Sequence, residues 1–266
     1  MNSDAWSPDQ IAARVESLGV AKARSSLVRL LVLSVLAGAF ISLGAVFYLV
    51  VVTGSELGFG VTRLLGGLAF STGLILVVVA GAELFTGNNL VSMAWASRLI
   101  SLRELLRNWI LVYAGNVLGA LGTVALVRMG GIADLGNGAV GETALAIGHA
   151  KAGVGIIQAI ALGILCNTLV CLAVWLTIGG HTVADKILAI IFPITAFVTA
   201  GMEHSIANWF FLPYAYLLGA GESAGFVQGA GWNILAVSLG NVLGGTLLVA
   251  GVYWLAYLRP GERQQS

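Results

Sequence analysis

Residues 80–88 read AGAELFTGN, and residues 200–208 read AGMEHSIAN. Both stretches fit the pattern A-G-x-E-x-x-x-x-N, and they lie 120 positions apart. The sequence GNVLG at 115–119 recurs at 240–244, at an offset of 125 positions. Two motifs that repeat in the same order at almost the same offset indicate an internal duplication. Each A-G-x-E motif interrupts a long apolar stretch, a pattern typical of discontinuous membrane helices around a transport pathway.

The composition is that of a membrane protein. Hydrophobic residues make up 58% of the chain and charged residues 9%, whereas soluble domains carry roughly 25% charged residues. Several apolar stretches are long enough for membrane spans, and the 36 glycines fit close helix contacts in lipid. The formal net charge of +1 gives no reason to expect a nucleic acid partner.

The first 26 residues are predicted to contain a cytoplasmic amphipathic helix. Ser7 fits the N-cap, Pro8 the first turn and Gln10 the closing position of a capping box. One face of this helix is apolar, comprising Ile11, Val15 and Leu18. We expect the helix to lie at the membrane surface, an ordinary soluble helix being the alternative.

Six membrane spans are predicted, and two of them are broken. The expected spans are 27–52, 64–97, 101–129, 151–178, 186–218 and 229–258. The second and fifth are longer than one crossing requires, and each contains an A-G-x-E motif. Because irregular backbone at membrane depth is tolerated only inside protein or beside a cavity, each is expected to form two half-helices. The spans make one channel domain, 27–258, followed by a cytoplasmic tail, 259–266.

The positions of Lys and Arg predict the orientation. With a cytoplasmic N-terminus, 10 of the 13 Lys and Arg residues lie on the cytoplasmic side, as the positive-inside rule requires. Three spans per half then give the two halves opposite orientations. The expected fold is an all-α membrane protein with an inverted 3+3 repeat and both termini in the cytoplasm. The segment 130–150 is expected to be a glycine-rich outer loop.

His204 is the first candidate functional residue, because an ionisable side chain within a span is a functional hypothesis by default. A structural histidine that bonds a freed backbone carbonyl is the alternative. Thr86 lies in the opposite break and is predicted to hydrogen-bond to His204. Leu84 and Phe85 are expected to close the space between the breaks when nothing passes. No second histidine or cysteine lies nearby in the sequence, so no metal site is expected.

Glu83 and Glu203 occupy equivalent positions of the duplication. They fit either an ion- or proton-binding role or a structural role, in which each carboxylate accepts backbone N–H groups of its broken helix. Because both copies retain the glutamate, we favour the structural role. Asn88 and Asn208 fit the same description.

Lys151 is predicted at the outer start of the fourth span, where cations are few. A cation there raises the local concentration of anions, and snorkelling to lipid phosphate is the alternative. Asn116 and Asn241, in the two GNVLG motifs, are expected to bond between packed helices. Asn167, in the middle of the fourth span, fits either packing or the pathway.

Together these motifs resemble the formate/nitrite transporter family. The runs AGAELFTGN, GMEHSIAN and GNVLGG carry the resemblance, which extends from Ser7 to Leu258. Members of that family are homopentameric channels for small monovalent anions, with an aquaporin-like protomer fold and one pore in each protomer. The resemblance implies the same assembly here, in the lipid bilayer of a bacterial inner membrane. Aquaporins themselves are excluded, because neither break contains Asn-Pro-Ala.

The resemblance also implies the pore residues. The central histidine of the family corresponds to His204, its loop threonine to Thr86 and its outer lysine to Lys151. The polar pore positions correspond to Asn167 and Asn241. The apolar constriction positions correspond to Phe70, Leu74, Leu84, Phe85, Val170 and Phe197.

The implied activity is transport without a cofactor rather than enzymatic catalysis. Formate is the preferred substrate, because the segment 40–54, Asn108-Trp109 and Tyr113 look closest to formate channels. The ELFTG loop also occurs in nitrite channels, so nitrite and hydrosulfide stay open. A neutral-solute facilitator of the aquaporin type, which needs neither His204 nor Lys151, is the alternative of a different class.

Proton coupling is the expected mechanism. Moving a bare charge into an apolar constriction costs several kcal/mol or more, and protonating a weak acid removes that cost. Burial should keep His204 neutral at rest. An approaching anion favours the charged imidazole, which then passes its proton to the substrate.

Overall fold

The structure is a computed structural model that describes residues 5–259, and helices make up most of this range. Its α-helices, in chain order, are α1 Pro8–Ala23, α2 Leu27–Val52, α3 Phe59–Val79, α4 Ser92–Ala96, α5 Leu102–Met129, α6 Ala139–Ala152, α7 Ile156–Gly179, α8 Val183–Thr199, α9 Ser205–Leu217, α10 Phe226–Leu243 and α11 Val252–Tyr257. Short 3₁₀ turns occur at Gly87–Val91, Ile132–Asp134 and Ala220–Glu222, and a π-helix, Gly244–Gly251, joins α10 to α11. Of the predicted tail, only Arg259 lies within the described residues.

Five helical stretches in the described range are long and apolar enough to span a membrane. They are α2, α3, α5, α7 and the continuous stretch Phe226–Tyr257. The predicted fifth span, 186–218, is divided between α8 and α9, which have 17 and 13 residues. Neither helix is long enough by itself for one crossing, so length alone does not establish a sixth span.

The Ala-Gly pair of each motif ends a helix. Gly81 and Gly201 adopt φ values of +83° and +73°, in the left-handed region that glycine enters without steric cost. The next residue then bonds back to the final turn, Ala82 N to Val77 O at 2.8 Å and Met202 N to Phe197 O at 3.0 Å. This is the bonding of a Schellman cap. The chain has no helix again until Gly87 in the first motif and Ser205 in the second.

The prediction that 130–150 is a loop was wrong. Helix α6 occupies most of this segment, and Lys151 lies in its last turn rather than at the start of the fourth span. The glycines that favoured a loop instead allow close packing: a Cβ at Gly148 would collide with the side chain of Ala215 on α9. Small residues at such contacts let helix backbones approach each other.

Helix α1 is present with the predicted capping box, in which Ser7 N donates to Gln10 Oε1 at 3.0 Å. Its apolar residues Ile11 and Val15 are buried in a cluster with Met93 and Trp175. Ile11 and Val15 of the predicted apolar face therefore pack on the protein, whereas Leu18 of the same face is exposed. This packing fixes the C-terminal turn of α1, which contains Lys22, beside the first break.

Both GNVLG motifs lie where helices touch. A Cβ at Gly119 of α5 would collide with the carbonyl oxygen of Val35 on α2, and one at Gly244 would collide with that of Ile164 on α7. These contacts bring the asparagine of each motif within hydrogen-bonding distance of a break.

Candidate functional site

Two cavities adjoin the two breaks. The outer cavity, named by the predicted orientation, has a volume of about 300 Å³ and includes Lys151, Glu203 and His204 in its lining. The inner cavity has a volume of about 320 Å³ and includes Lys22 and Glu83. Each cavity thus contains the glutamate of one A-G-x-E motif and one lysine.

The apolar positions implied by the resemblance lie at or between these cavities. Phe70 and Phe197 line the outer cavity and pack edge to face, with ring centroids 5.8 Å apart. Leu74 and Leu84 line the inner cavity. Val170 is buried and lines neither cavity. The inner and outer cavities therefore end on opposing sets of apolar side chains.

Phe85 takes a different position from the other apolar residues. Its ring packs against Tyr113 of α5, with centroids 4.8 Å apart and nearly perpendicular planes, and it lines neither cavity. The hydroxyl of Tyr113 in turn lies 2.9 Å from Ser238 Oγ and accepts from Trp209 Nε1 at 2.9 Å. These contacts hold the aromatic partner of Phe85 between α5, α9 and α10.

Thr86 and His204 meet between the two breaks. Thr86 Oγ1 lies 3.0 Å from His204 Nε2, and both residues are buried. The imidazole also stacks on Phe197 at 6.0 Å between ring centroids. The bond predicted between Thr86 and His204 is thus present, and it joins the first motif to the second.

The contacts of His204 assign its tautomer. Nδ1 accepts the backbone N–H of Ala207 at 3.1 Å, which makes His204 the N-cap of α9. Because a backbone N–H can only donate, Nδ1 has no proton in this state. The neutral imidazole then has its proton on Nε2 and donates it to Thr86 Oγ1. Both ring nitrogens therefore take part in hydrogen bonds.

The carbonyl of Thr86 is held from several sides. It accepts from the side-chain amides of Asn89 and Asn167, at 3.2 and 3.3 Å, and from the thiol of Cys171 at 3.3 Å. Asn167 Nδ2 also donates to Asn241 O at 2.6 Å. Asn167 is fully buried and lines neither cavity, so its visible role is to hold the threonine that faces His204.

The asparagines of the two GNVLG motifs hold the helix breaks in position through hydrogen bonds. Asn116 Oδ1 accepts from Phe85 N at 2.8 Å, and its Nδ2 donates to Ser34 O and Glu83 O. Asn241 Oδ1 accepts from Ser205 N at 2.9 Å. Its Nδ2 donates to the carbonyl oxygens of Gly163 and Glu203, at 2.8 and 3.0 Å. All polar atoms of the Asn241 side chain are thus committed to backbone groups.

Glu203 is paired with a lysine and two asparagines. Its Oε1 accepts from Lys151 Nζ at 2.8 Å, and its Oε2 accepts from Asn208 Nδ2 at 2.6 Å. Asn233 Oδ1, on α10, accepts from Asn208 Nδ2 at 2.7 Å, and Asn233 Nδ2 donates to Lys151 O at 2.9 Å and to Glu203 Oε2 at 3.4 Å. This network links α6, α9 and α10 at the outer cavity.

Glu83 has the same set of partner types at the inner cavity. Lys22 Nζ lies 2.9 Å from Glu83 Oε2 and 2.9 Å from Asn88 Oδ1. Asn88 Nδ2 donates to Glu83 Oε2 at 2.7 Å and to Asn108 Oδ1 at 3.1 Å, and Asn108 donates to Lys22 O. The expectation that backbone N–H groups bind the two glutamates was therefore wrong. Lysine and asparagine side chains do so.

Sequence reasoning missed part of this site. Asn108 and Asn233 are separated by 125 positions, the offset of the GNVLG motifs, so the duplication contained a signal for them. Lys22 and Lys151 are 129 positions apart and had no such signal. Arg63 was not a candidate site residue in the sequence analysis, yet it lines the outer cavity and donates to the carbonyls of Val198 and Thr199.

Comparison with known proteins agrees with this arrangement. The model of the formate/nitrite transporter family matches residues 9–255. Formate channel FocA of Escherichia coli (strain K12) is 38% identical over 272 residues, covering 96% of this chain and 95% of that protein. A solved structure described as a pentameric formate channel with formate bound is 38% identical, with a TM-score of 0.77 over 88% of this chain and 98% of that chain.

The fold is also similar to that of an aquaglyceroporin from Plasmodium falciparum. That structure aligns with a TM-score of 0.55 at 16% identity, covering 86% of this chain and all of that chain. At this identity the likeness concerns the fold alone. With the family match over nearly its whole length, the chain belongs to the formate/nitrite transporter family.

Proposed function

We propose that this protein is a channel for small monovalent anions, with formate as the preferred substrate and His204 coupling its passage to a proton. The observation that carries the proposal is the buried hydrogen bond between Thr86 and His204, which lies between two lysine-containing cavities. The similarity to formate channels supports formate as the substrate.

The proposed architecture has six spans as an inverted 3+3 repeat. The halves α8 and α9 together form the fifth span, and α3 with the short helix α4 forms the second. The matching networks at Glu83 and Glu203 support the repeat, since each joins a lysine from a preceding helix to two asparagines. We assign both termini to the cytoplasm from the positive-inside distribution of cations and a homopentamer from the similar pentameric structure.

The apolar ends of the cavities set the barrier to a charged solute. A formate ion leaving the outer cavity meets Phe70 and Phe197, which offer no hydrogen-bond donors. Transfer of an unpaired charge into such surroundings costs several kcal/mol or more. The neutral acid avoids most of this cost, so a proton donor at His204 selects weak acids.

The contacts of His204 constrain how it gains a proton. Nε2 already carries one, so a second proton must go to Nδ1, and the N–H of Ala207 must first leave that atom. Protonation therefore loosens the first turn of α9. The second proton comes from water, and the carboxylate of an arriving formate compensates the charge of the imidazolium. One imidazolium proton then passes to a formate oxygen, which gives formic acid and returns His204 to its neutral form.

Reconstituted flux tests the proposal. Proteoliposomes should accumulate formate several-fold faster than protein-free liposomes, with an accompanying fall in internal pH because the acid that enters releases its proton inside, and they should not accelerate glycerol entry. Nitrite and hydrosulfide are the other candidates within the family, so the same vesicles are tested with each. Rapid glycerol flux without anion flux would support the neutral-solute facilitator and contradict the proposal.

Lys151→Ala should slow anion uptake by roughly tenfold or more, an effect in the range that local charge has on association rates. The substitution removes the cation that pairs with Glu203 at 2.8 Å, so the carboxylate then repels anions from the outer cavity. Initial rates of formate uptake measure this effect, with Lys151→Arg as the charge-retaining control. A Lys151→Glu variant that transports as fast as wild type would refute a role for cavity charge.

A further inference from the structure

The charged residues of the outer cavity do not all contribute to its net charge. Among the described residues its lining includes two cations, Arg63 and Lys151, and one acid, Glu203. Lys151 Nζ lies 2.8 Å from Glu203 Oε1, and both side chains are largely buried. At this distance the two charges cancel for an anion approaching from several ångströms away. The remaining positive charge is that of Arg63.

Arg63 is held so that its charge stays at the cavity wall. Its Nε donates to Thr199 O at 2.6 Å and its Nη2 donates to Val198 O at 2.9 Å, at the end of α8. Within the described range it forms no ion pair with a carboxylate, and no acceptor bonds to Nη1. The helix C-terminus offsets part of the charge, since it carries about half an elementary negative charge.

The inner cavity has the same combination of charges, provided by different residues. Its lining includes Lys22, Arg29 and Glu83 in the described range. Lys22 is paired with Glu83 at 2.9 Å, whereas the Arg29 side chain has no carboxylate partner there. A neutral lysine–glutamate pair together with one arginine therefore occurs at both cavities. Arg29 and Arg63 come from positions that the sequence duplication does not relate, so the balance is not a by-product of the repeat.

We infer that Arg63, rather than Lys151, gives the outer cavity its net positive charge and is the residue that attracts and first binds a small carboxylate or other monovalent oxyanion there. Planar guanidinium groups match carboxylates well, because parallel N–H groups can bond both oxygens. Lys151 then acts mainly by neutralising Glu203. This inference rests on the proposed anion channel, but its test does not require transport.

A reporter cysteine at Gln158, which lines the same cavity and is exposed, measures the local potential directly. The Gln158→Cys protein is treated with two methanethiosulfonate reagents, the anionic sulfonatoethyl form and the cationic trimethylammonioethyl form. The two native cysteines, Cys166 and Cys171, are fully buried, and the parent protein without the reporter corrects for any reaction at them. The ratio of the anionic to the cationic reaction rate reports the sign of the cavity charge.

In the reporter background, Arg63→Gln should lower this ratio by about threefold to tenfold, the size expected for one unit charge several ångströms away at a hydrated surface. Glutamine can still donate to the α8 carbonyls, which limits structural damage. Arg63→Lys should stay close to the parent. The double variant Lys151→Met/Glu203→Gln, which removes one charge of each sign, should stay within about twofold of the parent.

The opposite pattern overturns the inference. If the double variant lowers the ratio as much as Arg63→Gln, or if Arg63→Gln leaves it unchanged, Arg63 does not set the cavity charge. Low-salt formate uptake by wild-type and Arg63→Gln proteoliposomes adds a second readout: the KM should rise several-fold with little change in kcat. If wild-type vesicles move no anion, the proposed function fails, while the reagent ratio still decides the role of Arg63.

Discussion

His204→Phe should abolish proton-coupled uptake of weak acids. The phenyl ring fits the stack on Phe197 but offers no nitrogen to Thr86 or to the N–H of Ala207. The other acidic groups near the breaks, Glu83 and Glu203, are already engaged by lysine and asparagine side chains. Among the described residues near the breaks, the variant then has no imidazole through which a proton could pass. Formate flux in proteoliposomes with an internal pH dye measures the coupled proton movement.

The variant His204→Asn distinguishes the proposed proton transfer by His204 from its structural roles. Asparagine is a good N-cap residue, so it replaces the acceptor for α9, whereas phenylalanine loses about 1 kcal/mol of capping. The asparagine variant should therefore assemble as well as wild type, keep a hydrogen bond to Thr86 and still lose proton coupling. A leak of charged anions through it is expected to persist. Unchanged coupled proton movement in His204→Phe would leave His204 as a structural cap alone.

Asn241→Leu should prevent stable folding of the membrane domain. Leucine is similar in volume but leaves Ser205 N without its acceptor and the carbonyls of Gly163 and Glu203 without their donor. Each unsatisfied buried polar group costs roughly 1–3 kcal/mol, and three of them together approach the stability of a typical domain. The loss is large because Asn241 and Ser205 are fully buried.

The yield of folded protein in detergent, measured by size-exclusion chromatography, and its melting temperature test this prediction. Asn241→Gln is the matched control, because it keeps the amide oxygen that accepts from Ser205 N and the amide N–H groups that donate to the two carbonyls. It should lower the melting temperature less than leucine does. Asn116→Leu, at the equivalent position of the first break, should behave like Asn241→Leu. Wild-type yield and melting temperature for Asn241→Leu would show that the asparagine does not fasten the break.

The sequence contained enough information to locate the helix interruptions. In both motifs the Ala-Gly pair ends a helix, because Gly81 and Gly201 adopt positive φ. This signal is local and therefore readable from one chain. The contact between Thr86 and His204 was also predictable, because each is a polar residue in one of the two opposing breaks, at a position where the two motifs differ.

The partners of the glutamates were not predictable in the same way. Glu83 and Glu203 bind Lys22 and Lys151, which come from helices α1 and α6 rather than from the membrane-spanning helices beside the breaks. The positions of these two lysines can be predicted only if the packing of α1 and α6 is known. That packing depends on contacts between distant parts of the chain. Helix α6 itself was hidden by glycines, whose low helix propensity is outweighed by close contact with α9.

The side chain of Asn241 shows a second limit of prediction from the sequence. Family resemblance implied a pore position, and the structure places the asparagine against the second break. Its polar atoms, however, are all engaged by backbone groups of the break and of α7. Sequence position indicates where a residue lies, whereas its hydrogen bonds depend on the orientation of neighbouring backbone.

The fastening of both breaks has a consequence for the temperature dependence of flux. Asn116 and Asn241 each tie a break to neighbouring helices, and the carbonyl of Thr86 is held by three side chains. A centre so constrained does not need to rock one half of the protein against the other, as alternating-access transporters do. In the proposed mechanism, each passage requires only local release of the first turn of α9. The activation enthalpy of transport should accordingly be small, closer to that of diffusion through water than to that of a domain rearrangement.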